Sequence, residues 1–256
     1  MSEVARNEAL FDYLLRLGDT SLVLGHRLSE WCGHGPALET DMALTNVALD
    51  LIGQARQFLT YAGEVEGRGR SEDDLAYLRD AHGYRNLLLV ELPNEDFART
   101  IARQFLFDAF NVELMAGLAA GSRDERLAAI AAKAVKEVSY HARHSSEWMI
   151  RLGDGTGTSH RKIQAALDDL WMYTGEMFAM DGVDDAMVAA GIGVDPVALK
   201  SRWDERVDEV LTEATVKRPE DGWMQTGGKV GRHTEHLGYL LAEMQFLQRA
   251  YPGAKW

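Results

Sequence analysis

Acidic and histidine side chains at helical spacing are the residues in this sequence that could do chemistry. In the stretch KEVSYHARH, Glu137, His141 and His144 lie three or four residues apart, and Asp108 interrupts an apolar stripe further upstream. Side chains at i, i+3 and i+4 share one face of a helix, so such groups can converge on a metal ion in a core. A complete constellation of this kind, with one carboxylate from each of two helices and a Glu-x-x-His pair from each of two more, holds two metal ions and supports oxidase chemistry. A second histidine pair, His233 and His236 in HTEH, lacks the Glu and the four-residue spacing of a zinc-protease helix. It reads as a helix entry with contact residues, Thr234 serving as the cap.

Other candidate motifs carry less. TGGKVG (226–231) does not have the spacing of a phosphate-binding loop, and GDGTGT (153–158) reads as a flexible loop. Ser21, Ser145 and Ser146 have no nucleophile-elbow context. Cys32 is the only cysteine, which excludes an internal disulfide, a CxxC pair and a thiolate zinc cluster. Trp148, Trp171, Met172 and Met177, at helical spacing, read as core or interface filling.

The elements that would position these groups are helices. Apolar residues recur three or four apart over Leu10–Trp31 (Phe11, Leu15, Gly18, Leu22, Gly25) and over Leu38–Glu64 (Leu44, Val47, Leu51, Gln54, Phe58). A polar connection, GEVEGRGRSEDD, leads to a shorter predicted helix over Leu75–Leu92. Asn94 is the expected N-cap of a third long helix with the stripe Ile101, Phe105, Asp108, Val112, Met115, closed by Gly121-Ser122. A fourth runs over Asp124–Leu152 with Leu127, Ala131, Ala134, Val138, His141, Ser145 and Trp148 inward. Three more are expected near 160–181, 196–217 and 234–250. The five prolines all fall between or after the periodic segments, as helix interiors require. No alternating run suggests a sheet.

A chain of 256 residues with net charge −13 can bury a sizeable core, but it lacks the concentrated Lys and Arg that nucleic acid or an anionic membrane surface demands. Neither a basic-then-apolar leader nor an 18-residue apolar run is visible, so a cytoplasmic protein is expected.

Four long amphipathic helices with a longer link between the second and third match the ferritin-like four-helix bundle, here with additional C-terminal helices. One domain spanning 1–256 is expected, with a core bundle over about 8–181 and a helical extension over about 182–256. Placed on the buried stripes, the six di-iron ligand positions fall at Leu22, at Leu51 and Gln54, at Asp108, and at Val138 and His141. Two ligand types remain of six. One carboxylate and one imidazole neither neutralise nor saturate two iron ions, so a lost site is expected. Asp108 and His141 could then form a buried ion pair or hydrogen bond. The pair His141 and His144 beside Glu137 reads as a surface histidine cluster more readily than as a mononuclear metal site.

At these residues a family resemblance emerges. The stretches LRLGDTSLVLGHRLSEWCGHGPALETDMALTNVALDLIGQARQFLTYAGE, NLLLVELPNEDFARTIARQF, KAVKEVSYHARHSSEWMIRLGDGT and TGGKVGRHTEHLGYLLAEMQFLQRAYPG, with a terminal Trp256, occur in collinear order. Across its length the chain resembles the non-catalytic, ferritin-like C-type subunits of bacterial phenylacetyl-CoA monooxygenases, the ring 1,2-epoxidases. Asn111 departs from that pattern, where a histidine can occur one turn after Asp108.

The resemblance implies a structural subunit that binds and stabilises a catalytic di-iron subunit in aerobic phenylacetate degradation. It implies no cofactor in this chain, di-iron in the partner, and FAD with iron–sulfur in a reductase. Further small subunits, phenylacetyl-CoA, dioxygen and NADPH complete the system. A hetero-oligomer is expected, or a homodimer when the chain is alone. The competing expectation is a metal-dependent oxidase in its own right, using Glu39, Asp50, Asp108, Glu137 and His141. Its weakness is helical phase, since Asp50 is about 100° around the helix from Leu51. A freestanding helical adaptor is a third.

Overall fold

The structure, a computed structural model, describes residues 2–254; the terminal Trp256 lies outside the described residues. Those residues form eleven α-helices and four short 3-10 turns, with no strand among them. They divide into two compact units. One comprises the residues up to Pro93 with those from Gly227 onward, the other Asn94–Thr226.

The first unit is built on α1 (Glu3–Ser29) and α2 (Leu38–Glu66), which pack along their length. Helix α1 begins a full two turns before the apolar stripe. The Ser2 hydroxyl accepts from the Ala5 amide, and most of the exposed residues that follow (Glu3, Ala5, Arg6, Glu8) are good helix formers. Burial is also wider than one stripe, since every residue from Tyr13 to Gly25 is buried. A Cβ on Gly18 would fall 2.8 Å from Leu59, and one on Gly25 would fall 3.0 Å from Ile52. The order of these pairings makes the helices antiparallel, and the two glycines set how closely they approach.

The single helix expected over Leu75–Leu92 is instead three pieces: α3 (Glu72–Tyr77), a 3-10 turn over Ala81–Gly83, and α4 (Leu88–Glu91). A buried carboxylate on α1 explains the break. Asp19 is fully buried and takes the Arg79 guanidinium in a two-pronged pair, while its Oδ2 also accepts the Arg85 amide at 2.9 Å. An uninterrupted helix could not deliver both donors to one carboxylate. The C-terminal helices α10 (Glu235–Met244) and α11 (Phe246–Ala250) complete this unit. Gln245 Nε2 reaches the carbonyls of Ala76 and Arg79 at 3.1 and 3.0 Å.

The second unit is built on α5 (Phe97–Gly121) and α6 (Glu125–Gly153). Asp96, not Asn94, caps α5, accepting from the Arg99 amide at 3.0 Å; Asn94 instead accepts from Arg103 Nη2 at 2.7 Å. The region read as a flexible loop ends in structure, because Thr156 and Ser159 form a capping box that starts α7 (Gly157–Leu170). Helix α7 then gives way to 3-10 turns over 171–173 and 175–177, so the predicted helix to 181 is shorter than expected. A further helix, α8 (Gly182–Ala189), starts at the Asp181 cap. Asp195 and Pro196 begin α9 (Pro196–Glu213). Helix α9 inserts Trp203, whose indole N–H donates to the Leu106 carbonyl at 3.0 Å.

Candidate functional site

Three of the six sequence-derived positions lie in the first unit. Leu22 is buried on α1, midway between the two close-approach glycines, so it sits level with the turn of α2 around Ala55. Leu51 and Gln54 share the buried face of α2, at 0 % and 1 % exposure. Two of these three side chains are hydrocarbon, and the third is a neutral amide.

The other three positions lie in the second unit, where α5 and α6 pack on one another. Val138 is fully buried on α6. Asp108 and His141 are each 1 % exposed, on α5 and α6 respectively. Asp108 Oδ1 accepts from Gln104 Nε2 at 2.7 Å, one turn earlier on α5. Burial pushes the Asp108 carboxyl up to about 6, a rise partly offset by His141, Ser145 and Gln104. Asn111, in the place of the family's occasional histidine, is also buried.

Full burial of His141 corrects the expected surface histidine cluster. His144, only part-buried, is one turn away with its ring stacked on Tyr140 at 5.9 Å, and burial holds its pKa below the usual histidine value. Trp148 is likewise half-buried, packed edge-on against Phe97 at 4.9 Å, and Met149 takes the buried position beside it. Of the ligands in the competing oxidase reading, Glu39 is exposed and Asp50 and Glu137 are half-buried. They do not share the burial of Asp108 and His141.

The donor set decides what this arrangement can do. Among the described residues, no group of three or more His, Cys, Asp or Glu side chains is placed to hold a metal ion. The six positions supply one carboxylate, one imidazole and one amide, with hydrocarbon at the rest. Within the first unit these positions offer no charged ligand, and within the second a single carboxylate cannot balance two divalent irons. These residues do not fit a di-iron centre.

Sequence reasoning missed a heavily engaged polar side chain of the first unit. Glu91 is fully buried on α4; its carboxylate accepts from Asn86 Nδ2 and His233 Nδ1, both at 2.8 Å, and from the Thr234 amide at 2.5 Å. Arg27 donates to the Glu91 carbonyl through Nε and Nη2, at 3.0 and 2.8 Å, and to the His236 carbonyl at 3.2 Å. HTEH is therefore a structural clasp that also opens α10, with Thr234 as the expected cap. TGGKVG has a steric reason for one glycine: a Cβ on Gly228 would lie 2.1 Å from the Asn86 carbonyl oxygen.

The fold class is all-α and ferritin-like, with helices added to the four long ones. The chain belongs to the family described as phenylacetic acid catabolic protein, whose model matches residues 1–256. It is similar to the C-type subunit of the 1,2-phenylacetyl-CoA epoxidase of Escherichia coli (strain K12), with 54 % identity over 244 residues, 95 % of this chain and 98 % of that protein. The resemblance is thus to the C type within the family. No helix among the described residues is long and apolar enough to cross a membrane.

Proposed function

We propose that this chain is a structural, non-catalytic subunit of a multicomponent di-iron oxygenase that epoxidises the ring of phenylacetyl-CoA. Its role is to bind the catalytic di-iron subunit and stabilise it. The similarity to a C-type epoxidase subunit supports the assignment to such a complex. The observation that supports the non-catalytic role is the buried hydrocarbon at Leu22, Leu51 and Val138, the positions at which the sequence pattern sets the carboxylates of a di-iron protein of this fold. Residues 1–256 act as one subunit in this proposal, and Asp108 and His141 are kept as a structural pair.

The chemistry belongs to the partners: di-iron in the catalytic subunit, FAD and iron–sulfur in the reductase, with NADPH and dioxygen consumed. This chain contributes burial of apolar surface on its partner. A docked, rigid neighbour restricts the helices that carry metal ligands, and ligand geometry good to a fraction of an ångström needs such support. The experiment is expression of the catalytic subunit with and without this chain. Alone, that subunit is expected to be poorly soluble or weakly active, and addition of this chain restores it. A catalytic subunit fully active and stable by itself would contradict the proposal.

The shared burial of Asp108 and His141 favours one second reading, a metal-dependent oxidase with an atypical ligand set drawn from Glu39, Asp50, Asp108, Glu137 and His141. Metal content of the isolated chain separates the two.

A further inference from the structure

Helix α2 carries an exposed apolar face that nothing in its own unit covers. Leu38 is 72 %, Met42 58 % and Leu49 62 % exposed. At 100° per residue these three lie within about 40° of one another around the helix, and exposed Gly53 follows within about 20° of Met42. The seam from Leu38 to Gly53 is about 22 Å long at 1.5 Å per residue. A Cβ on Gly53 would meet open space, so no neighbour within the chain requires glycine there. A mid-helix glycine is destabilising against alanine, and close approach by an external backbone is one reason to retain it.

The charges around the seam say what kind of chain it takes. Glu39, Asp41 and Asp50 border it, and the one base on α2, Arg56, is 3.2 Å from Glu72. A second copy laid on the same face would set acid against acid, between chains of net charge −13 each. A partner with an apolar helix face bordered by Lys and Arg meets neither obstacle.

The seam alone is too small for a stable interface, which takes about 800 Å² per partner, so it forms the apolar centre of a larger, polar-rimmed contact. We propose, resting on the subunit reading above, that the Leu38–Met42–Leu49–Gly53 face of α2 is the docking seam for a basic-rimmed helix of the catalytic subunit.

The test is binding of the full chain to the purified catalytic di-iron subunit of the same organism, followed by sedimentation and calorimetry. Leu49→Asp is expected to weaken binding at least about 100-fold and Leu49→Ala about tenfold. Glu39→Lys should weaken it about tenfold and flatten its salt dependence. Gly53→Leu should raise the Tm of the free chain yet weaken the complex at least about tenfold. Phe246→Asp, an exposed aromatic of α11, should leave the Kd within about threefold. Circular dichroism and Tm of each variant check that the fold is kept.

Binding by the Leu49 and Gly53 variants equal to that of the unaltered chain overturns the seam and leaves the subunit reading standing. Failure of the unaltered chain to bind overturns both. A homodimer of the isolated chain that Leu49→Asp dissolves overturns the choice of occupant.

Discussion

His233 Nδ1 stands 2.8 Å from Glu91 Oε2, closing a pair between residues 142 apart in sequence and almost fully buried on both sides. The second ring nitrogen of His233 is 3.1 Å from the Tyr84 carbonyl. Through this pair and the Thr234 amide, the returning C-terminal segment is tied to α4. Both partners are needed, because either one left alone would be a buried polar group without its complement.

Glu91→Ala is therefore expected to destabilise the first unit by about 3–5 kcal/mol, the usual cost of orphaning one member of a buried pair. Urea denaturation measures the loss. Limited proteolysis should show new cleavage after Thr226, where the clasped segment begins. Stability within about 0.5 kcal/mol of the unaltered chain would contradict the role of the pair.

Asp108 supplies a pH dependence whose sign follows from its burial. Its folded-state pKa of about 6 lies above the ordinary value of 3.8. The group thus favours the folded state fully below pH 3.8, and that contribution is lost as pH rises to about 6. The loss amounts to about 3 kcal/mol at 1.36 kcal/mol per unit. Asp108→Asn stays neutral throughout, so its stability relative to the unaltered chain should improve by roughly 2 kcal/mol between pH 4.5 and 7.5. Parallel stability curves would show that the carboxylate is not desolvated.

Gly228→Ala tests whether TGGKVG is steric rather than ligand-binding. The added methyl would strike the Asn86 carbonyl at 2.1 Å, a backbone atom that cannot swing aside. A loss of about 1–3 kcal/mol in urea unfolding is expected, as for other overpacked sites. No change in stability would mean that the segment approaches less closely than the structure shows.

The long helices were legible because their apolar residues recur in one helical phase over many turns, although burial on α1 is wider than that stripe, and a polar residue on such a stripe, like Asp108 or His141, stands out against its neighbours. The region after α2 was not legible for a converse reason. Leu75, Leu78, Leu88 and Leu92 have helix-compatible spacing, yet Asp19, 60 residues away from Arg79, demands donors that only a broken chain can deliver. Glu91 was hidden in the apolar run NLLLVELP, and although His233 stood out as a contact residue, nothing local pairs the two. His141 was recognisable as inward-facing from its phase; reading it with His144 as a surface cluster overlooked that the two differ by about 60° around α6 (100° per residue over three residues).

The central claim is that the chain holds no catalytic metal of its own. The most direct measurement is iron per chain after expression of this protein alone in iron-replete cells. The account predicts a value near zero, unchanged by anaerobic addition of ferrous iron. A value near two per chain, removable by chelation with loss of oxidase activity, would contradict it and make the chain itself the enzyme.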